Sequence, residues 1–540
     1  MKNTNKLRIS RIMLACLLTA AILAGSLVGC AKPNAPAESS AAPSPAVSAA
    51  SSDVAPKAAV PFDETLEFTF FGAMWQPYSA EMTEITDELQ KRTNTKITFE
   101  WTAVDTYQDK LSAVLASGKL PDIISYGTVK TAIDTLVDQG AVIPLDDLLA
   151  KYAPDYTAAV GENAAPYTKF AADGKTYAIR SIIDYKPMYS NMVRTDWVKN
   201  VGKAIPTDWN GWVDLWKAFR DQDANMDGNK SNEVALGDYF DLRNIAYMCG
   251  IQKSENFAID ASGNYSIVSE HPNYELFLDT ARMLYSEKLL DQEYQTKKLD
   301  PDLFAIMDNN TCGTTYTYAE RAKLSTEVNV DLNKDALWSC IIPVQGPKGD
   351  QLVGARPKFS LGTCITIGAE KAGKAEKLMQ FLNYMYSAEG TQLINYGIEG
   401  KHYTLKDGKP VLNSPYIDGF VEARKSGLIS QVLPLNWQSD NYQMILLKGK
   451  TYEDLDAAGK SFVDGLTINK DYYFTVPPTF STETIVKEGV NLFAKLDVLR
   501  DNYVTGKISK DDFKAEYTKL KAAGLDKINE EVKAAYNTVK

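Results

Sequence analysis

The strand-like and helix-like patterns that alternate over residues 66–126 constrain the fold of this chain more than any other feature. Residues 66–71 are rich in β-forming side chains, and residues 96–103 alternate apolar and polar side chains as a half-buried strand does. Residues 107–117 then place apolar side chains at helical spacing, and residues 121–126 form another short apolar run. Strand, helix and strand at this spacing predict a βαβ unit. The fold class is therefore predicted to be α/β, with a parallel sheet covered by helices.

The chain is too long for a single hydrophobic core. Its 540 residues exceed what one core normally organises, so two or three domains are expected. A second unit is predicted to open near Asp184, and a helix is predicted to follow Pro206 with Thr207 as its N-cap. The aromatic side chains of that helix recur at helical spacing, which favours core packing over a ligand platform; they are Trp209, Trp212, Trp216 and Phe219.

Residues 1–29 resemble a bacterial lipoprotein signal peptide. A basic start without acidic residues precedes an apolar stretch over residues 12–28, which is short for a membrane span. Residues 27–30, Leu-Val-Gly-Cys, resemble a lipobox, in which cleavage would leave Cys30 as the lipidated N-terminus. The alternative is an uncleaved anchor with an incidental cysteine.

The segment after the signal predicts a spacer. Residues 30–61 consist mostly of Ala, Pro, Ser and Val, which cannot bury enough apolar surface to fold. No later apolar stretch approaches membrane length. The body of the protein is therefore expected at the extracellular face of the cytoplasmic membrane, anchored only through a palmitate-type lipid on Cys30.

Composition excludes several classes of function. The formal net charge of −11 argues against nucleic acid and against basic patches for anionic lipid. Only His271 and His402 are present, so a multi-histidine metal site is excluded, and no Gly-x-Ser-x-Gly, His-Glu-x-x-His or Walker motif occurs. The cysteines of the body are widely spaced and their disulfide state stays open; they are Cys249, Cys312, Cys340 and Cys364.

Five stretches, taken in order, resemble one known family. They are Ala116-Ser-Gly-Lys-Leu-Pro-Asp-Ile-Ile124; Gln139-Gly140 with Pro144-Leu145 and Tyr152-Ala-Pro154; Arg194-Thr-Asp-Trp197 with Pro206-Thr-Asp-Trp209; Tyr396-Gly-Ile-Glu-Gly-Lys-His-Tyr403; and the tail from Gly506 to Tyr536. Together they resemble the extracellular solute-binding lipoproteins of ABC importers for sugars. The closer resemblance is to the family-1, LplA-like lipoproteins of Gram-positive bacteria.

The resemblance implies a two-lobed, class II periplasmic-binding-protein-like fold with a helical C-terminal region. The lobes would be discontinuous and joined by a hinge: residues 62–182 with 345–410 form lobe one, and residues 183–344 with 411–540 form lobe two. A carbohydrate would bind in the cleft between them, and a monomer would deliver it to membrane permease subunits. The implied function is binding without enzymatic activity.

Residues 223–233 form a candidate metal loop. Oxygen-bearing side chains alternate along it, and Gly228 supplies the sharp turn of an EF-hand-type loop. Val234 stands where the usual twelfth-position Glu would be, one place after Glu233; related sugar-binding lipoproteins similarly carry a calcium loop with an early glutamate. The alternative is a plain surface turn. The predicted ligands of a structural Ca²⁺ are Asp223, Asn225, Asp227, Asn229, Ser231 and Glu233.

The candidate sugar site is predicted from loop residues. Sugar binding requires flat aromatic faces and planar polar groups, and ligands of open α/β sheets bind at the carboxyl ends of strands. Residues that follow predicted strands or lie near the predicted crossing are therefore selected over helix-face aromatics. The predicted ligand contacts are Trp75, Tyr78, Tyr126, Arg180, Asp184, Tyr316, Tyr318 and Trp437.

Two other functions stay open at this point. An extracellular glycoside hydrolase needs only two carboxylates about 5–10 Å apart, and acidic residues are plentiful. A protein of the same two-lobed architecture could instead bind peptides or other nutrients.

Overall fold

The computed structural model describes most of the chain after the spacer. The described residues are 60–74, 83–103, 106–126, 130–162, 164–170, 173–184, 189–355, 359–418 and 436–540. Cys30, Trp75 and Tyr78 therefore lie outside the described residues. Within these ranges, no helix combines the length and apolarity needed to cross a bilayer.

Seventeen strands lie in the described ranges and form two main sheets and three small ones. They are β1 (Leu66–Met74), β2 (Thr95–Ala103), β3 (Ile123–Tyr126), β4 (Ile179–Asp184), β5 (Tyr189–Arg194), β6 (Val234–Leu236), β7 (Gln252–Ser254), β8 (Phe257–Ile259), β9 (Tyr265–Ile267), β10 (Cys312–Tyr318), β11 (Trp338–Ile341), β12 (Val353–Ala355), β13 (Phe359–Ile365), β14 (Tyr403–Lys406), β15 (Lys409–Leu412), β16 (Asn436–Gln438) and β17 (Tyr473–Thr475).

Twenty α-helices lie in the same ranges. They are α1 (Thr83–Thr93), α2 (Tyr107–Ser117), α3 (Lys130–Asp138), α4 (Asp146–Tyr152), α5 (Pro154–Val160), α6 (Ala165–Thr168), α7 (Thr195–Asn200), α8 (Trp209–Asp221), α9 (Arg243–Met248), α10 (Tyr274–Ser286), α11 (Asp300–Asp308), α12 (Arg321–Asn329), α13 (Ile367–Lys371), α14 (Ala375–Tyr384), α15 (Ala388–Tyr396), α16 (Ser439–Leu446), α17 (Ala457–Gly465), α18 (Val490–Val504), α19 (Lys510–Leu520) and α20 (Asp526–Val539).

The first sheet confirms the βαβ prediction. Its strand order is β16-β4-β13-β3-β1-β2. Strand β1 pairs in parallel with both β2 and β3, and β16 pairs in parallel with β4, whereas β13 is antiparallel to its two neighbours. Apolar side chains of the sheet pack against α14 and α15 in one continuous core. Five of the six strands therefore end at the same edge of this sheet.

The second sheet has the order β11-β5-β10-β6. Strand β5 is antiparallel to β10 and β11, and β6 is parallel to β10. Helix α8 packs on it with Trp212 and Trp216 fully buried, which confirms the predicted core role of these rings. Its N-cap is Asp208 rather than Thr207, because the Asp208 carboxylate accepts the amide hydrogen of Gly211 at 2.9 Å.

The helical C-terminal region packs on the same side of the molecule as the second sheet. Apolar residues of α18 and α19 join the core that contains α8 and α10. Helix α20 packs against the small sheet β7-β8-β9. The helices after residue 490 therefore cover elements that follow β5 in the chain.

Among the residues that the structure describes, the chain leaves or re-enters the core of the first sheet at three places. Residues 185–188 connect β4 to β5, and residues 356–358 connect β12 to β13. The last passage follows α16, because β16 pairs with β4 of the first sheet. The predicted lobe boundaries at 344/345 and 410/411 therefore do not coincide with the points where the chain changes sheets. The largest difference concerns β16, which was predicted in lobe two but pairs with β4 of the first sheet. A three-residue strand that pairs across 250 residues carries no local signal of its partner.

Candidate functional site

The connections between the sheets determine which sheet edges face each other. Strand β4 ends at Asp184 and β5 begins at Tyr189, and five Cα–Cα steps span at most roughly 18 Å. The carboxyl ends of β1, β3, β4 and β16, which we name the first edge, therefore lie near the amino end of β5. The second edge comprises Tyr189, the end of β10 at Tyr318, and residues 238–243 after β6.

The first edge brings together most of the ligand residues predicted from this part of the chain. Tyr126 is the last residue of β3 and Asp184 is the last residue of β4. Trp437 pairs in register with Ile183, one position before the end of β16. Trp75 follows the last residue of β1 in the chain but lies outside the described residues. The backbone thus places Tyr126, Asp184 and Trp437 at one edge, as the sequence predicts.

Arg180 lies elsewhere. It is the second residue of β4, four positions or roughly 13 Å from Asp184 along the strand. Its backbone amide donates to the Tyr156 hydroxyl at 3.0 Å, and its carbonyl accepts from the Tyr386 hydroxyl at 2.8 Å. Arg180 was predicted near the crossing, but β4 continues past it to the edge, so its role as a ligand contact stays a prediction.

Tyr316 and Tyr318 lie inside strand β10 and not in a loop after it, so their predicted loop position is wrong. Both side chains are buried. The Tyr316 hydroxyl donates to the carbonyl of Gly354 at 2.9 Å. The Tyr318 ring stacks on Tyr189 at 4.6 Å. Tyr316 thus has the contacts of a core residue, whereas Tyr318 ends the strand at the second edge.

The second edge contains polar residues that the sequence analysis missed. Tyr239 follows β6, and its hydroxyl donates to Asp300 Oδ1 at 2.6 Å. The Tyr318 hydroxyl reaches the other oxygen of the same carboxylate at 3.4 Å. The guanidinium of Arg243 lies 4.2 Å from the centroid of the Tyr239 ring. A short strand followed by Gly-Asp-Tyr was the available signal, but the candidate metal loop directly before it obscured the strand.

Charges are concentrated in the loop of residues 238–243. Burial raises the pKa of Asp238 to about 7, although its carboxylate accepts backbone amide hydrogens from Tyr239 and Ile245 at 2.8 and 3.1 Å. Burial also opposes the charge on Asp241, but the adjacent Arg243 and Lys253 outweigh it and hold the pKa of Asp241 well below its ordinary value. This loop therefore combines the buried Tyr239 and Asp238 with the partly exposed Asp241 and Arg243.

The candidate metal loop is folded as a tight turn. Asp223 accepts the amide hydrogens of Asp227 and Gly228 at 3.1 and 3.0 Å, and Asp227 accepts that of Asn229 at 2.8 Å. Gly228 has a positive φ of 88°, as the turn requires. A carboxylate offers about four lone-pair positions, so these bonds leave capacity for a cation.

The carboxylate of Glu233 is a second feature of this loop that favours a bound cation. Both of its carboxylate oxygens are shielded from solvent and make no hydrogen bond of normal geometry, with only the amides of Ala224 and Glu233 nearby. Burial raises the pKa of Glu233, and the negative Asp223 and Asp227 raise it further. Within the described ranges, no three His, Cys, Asp or Glu side chains form a ready metal cluster. The loop instead combines carboxylates with Asn, Ser and backbone oxygens, a donor set that fits Ca²⁺.

The histidines and cysteines are packed into the protein. His402, in the most specific of the five stretches, accepts the amide hydrogen of Ile398 through Nδ1 at 2.9 Å, and burial lowers its pKa. His271 accepts the amide hydrogen of Asn273 in the same way at 3.1 Å. All four described cysteines are free thiols in buried positions, and burial raises the pKa of each to about 12.

The sheet topology and the two facing edges define the class of protein: a two-lobed, class II periplasmic-binding-protein-like fold. Residues 75–266 match the family model of the bacterial extracellular solute-binding protein. The predicted resemblance to the extracellular solute-binding lipoproteins of ABC importers is confirmed.

Two curated relatives come from Bacillus subtilis strain 168. Lipoprotein LipO is 23% identical over 59% of this chain, and the chain spans 64% of the length of LipO. The polygalacturonan/rhamnogalacturonan-binding protein YtcQ is 22% identical over 84% of this chain and 88% of YtcQ. Among solved structures, the alginate-binding protein AlgQ2 without calcium ion is 20% identical and superposes with a TM-score of 0.67. The match covers 89% of this chain and 100% of the AlgQ2 chain. The two of these relatives whose names state a ligand, YtcQ and AlgQ2, are named as binding proteins.

Proposed function

We propose that this protein is the substrate-binding lipoprotein of an ABC transporter, which captures an oligosaccharide between its lobes and delivers it to membrane permease subunits. The observation that carries the proposal is the meeting of the first and second edges beside the connections between the sheets. YtcQ and AlgQ2, whose names state polysaccharide ligands, match most of the chain in sequence and in fold respectively. The protein acts as a monomer and leaves the sugar chemically unchanged.

The two edges supply complementary groups for a sugar. Trp75, Tyr78, Tyr126 and Trp437 are proposed to supply flat faces for the apolar side of a pyranose, and Asp184 is proposed to supply a hydrogen-bond acceptor. The support is that the backbones of Tyr126, Asp184 and Trp437 lie at the first edge. The second edge contributes the guanidinium of Arg243, which stays partly exposed, and the carboxylate of Asp300, which the fully buried Tyr239 holds through its hydroxyl. A sugar that contacts both edges stabilises the closed arrangement of the lobes, and the population shifts toward it.

A ligand panel tests the proposal. The protein is titrated calorimetrically and by thermal shift with trigalacturonic acid, 1-kestose, maltotriose and a neutral tripeptide. We expect at least one saccharide to stabilise the protein and the peptide to have no effect. Stabilisation by the peptide alone would overturn the ligand class. New reducing ends after incubation with longer saccharides would identify a hydrolase instead.

Trp437→Ala is expected to weaken binding of the responding saccharide about 30-fold, because a central aromatic contact contributes roughly 2 kcal/mol. The measurement is the dissociation constant by calorimetry. Tyr452→Ala is the matched control, since Tyr452 is an exposed aromatic residue in the segment after α16. Equal affinities for the two variants would remove Trp437 from the site.

We further propose that Cys30 carries the lipid that anchors the protein at the extracellular face of the membrane. The support is the lipobox-like residues 27–30 and the similarity to lipoprotein LipO. Cys30→Ser should release the protein into the culture medium and abolish incorporation of labelled palmitate. Membrane retention of the Cys30→Ser protein would favour an uncleaved anchor.

We also propose that the loop of residues 223–233 binds a structural Ca²⁺. Asp223, Asn225, Asp227, Ser231 and Glu233 would supply side-chain oxygens, and Asn229 would supply its backbone carbonyl. The unsatisfied carboxylate of Glu233 supports the proposal, because a buried charge without a partner opposes folding. Calorimetric titration of the chelator-treated Asp223→Ala/Asp227→Ala double variant should show no calcium binding. Binding equal to that of the parent would rule out this loop.

A further inference from the structure

Arg500 connects the C-terminal helices to the second edge. It lies on α18, its side chain is buried, and its Nη2 donates to the carbonyl of Phe240 at 2.9 Å. Phe240 is in the middle of the loop of residues 238–243, which carries Tyr239 and Arg243. The two residues of this contact are 260 positions apart in the chain.

The guanidinium of Arg500 is held in place by its own helix. Nη1 donates to Asp497 at 2.7 Å, and Nε donates to Asp501 at 2.9 Å. Asp501 is fixed in turn by the hydroxyl of Tyr294 at 2.8 Å. Because a planar guanidinium has a fixed fork of donors, two bound carboxylates determine where the third nitrogen points. That nitrogen points at the loop.

The loop depends on such a contact because its own backbone is irregular. Leu242 has a positive φ of 51°, a conformation that costs energy for a non-glycine residue. The amide of Phe240 donates to the carbonyl of Lys297 at 3.0 Å, so Phe240 is held from both sides. Tyr239 reaches Asp300 at 2.6 Å only while the loop keeps this path.

We propose that Arg500 is a positioning residue for ligand binding: from the C-terminal helical region it holds the loop of residues 238–243 in the path that places Arg243 at the second edge. The proposal has two parts. The first part, that Arg500 orders the loop, is independent of any ligand. The second part, that loss of Arg500 lowers saccharide affinity, rests on the proposed function.

Amide hydrogen exchange of the full-length, ligand-free protein tests the first part. The variants are Arg500→Met, which removes the donors and keeps an apolar stem, and Arg500→Lys, which keeps the charge beside Asp497 and Asp501 but loses the fork. We expect exchange in peptides that cover residues 237–246 to be at least ten-fold faster in both variants. If Arg500→Met fails to fold, Arg500→Lys carries the test.

Arg282→Met is the matched control. Arg282 on α10 donates to the carbonyls of Tyr503 and Ile508, both at 2.9 Å, and so also connects the second-sheet side of the protein to the C-terminal region. No contact between Arg282 and residues 238–243 is seen in the described part of the chain, so the control should leave exchange in this loop unchanged. Equal exchange of the loop in the wild type and both Arg500 variants would overturn the proposal.

The affinity measurement uses the saccharide of the panel that binds the wild type. We expect Arg500→Lys to weaken its binding at least ten-fold, while Arg282→Met stays within about two-fold of the wild type. Loop exchange that accelerates without a change in affinity would overturn the second part of the proposal. If no saccharide of the panel binds the wild type, the proposed function fails, and the exchange result still decides whether Arg500 orders the loop.

Discussion

Arg194→Ala is expected to lower the free energy of unfolding by about 3–5 kcal/mol, because removal of one partner leaves the other charge of a buried ion pair uncompensated. Arg194 is fully buried and makes two parallel hydrogen bonds to the Asp196 carboxylate, at 2.8 and 2.6 Å. Its guanidinium lies between the rings of Trp197 and Trp338, at 5.4 and 5.8 Å from their centroids. Urea denaturation followed by circular dichroism measures the change.

The control for Arg194 is an exposed ion pair. Lys96 and Glu67 lie 2.8 Å apart with both side chains mostly in solvent, so Lys96→Ala should cost less than about 1 kcal/mol. Arg194→Lys should still be markedly destabilised, since an ammonium cannot reproduce the paired geometry. A loss for Arg194→Ala no larger than that of the control would contradict a structural role for the buried Arg194–Asp196 ion pair.

Glu233→Gln is expected to stabilise the calcium-free protein and to remove most of the stabilisation that calcium gives. Because burial raises the pKa of Glu233 in the folded protein, its ionised form opposes folding at neutral pH, and this penalty grows as the pH rises from the unfolded to the folded pKa. The calcium-free variant should therefore be more stable than the wild type at pH 7. In 10 mM Ca²⁺ the wild type should gain about 1.4–2.7 kcal/mol, for a Kd of roughly 10⁻³ to 10⁻⁴ M, and Glu233→Gln should gain little.

Denaturation in chelator and in 10 mM Ca²⁺ measures both parts of this prediction. Glu516→Gln is the control for net charge, because Glu516 is exposed and its ion pair joins it to Lys519 of the same helix, α19, far along the chain from the loop. The control should respond to calcium as the wild type does. A Glu233→Gln protein that is less stable in chelator and gains as much from calcium as the wild type would contradict a cation role for this carboxylate.

Local patterns in the sequence were sufficient for much of the fold. The alternating residues of β2 and the helical spacing on α8 are properties of short segments, and the structure confirms both. Tyr126 was selected because it follows a predicted strand and Asp184 because it lies near the predicted crossing, and the structure has both at the carboxyl ends of strands of one sheet. The alternation of oxygen-bearing side chains in the loop of residues 223–233 is also a property of a short segment. Each of these features can be read within about a dozen residues.

Long-range pairing explains what the sequence analysis missed. Tyr316 was predicted as a loop residue, but β10 extends through it because β5 pairs with β10 from Thr314 to Tyr318. Strand β16 has three residues and gains its place only by pairing with β4, which is why the last lobe boundary was misplaced. The contacts of Tyr239 with Asp300 and of Arg500 with Phe240 join residues 61 and 260 positions apart.

The sequence by itself determined the α/β class, the core faces of the helices, the resemblance to solute-binding lipoproteins and the candidate metal loop, because periodicity and ligand spacing are set by neighbouring residues. The tertiary structure decided which strands share a sheet, where the chain crosses between sheets and which polar residues form the second edge. These features depend on contacts between segments that are distant in the chain. Such contacts stabilise the fold only after the entropic cost of closing the intervening loop has been met, so no short segment carries their signal.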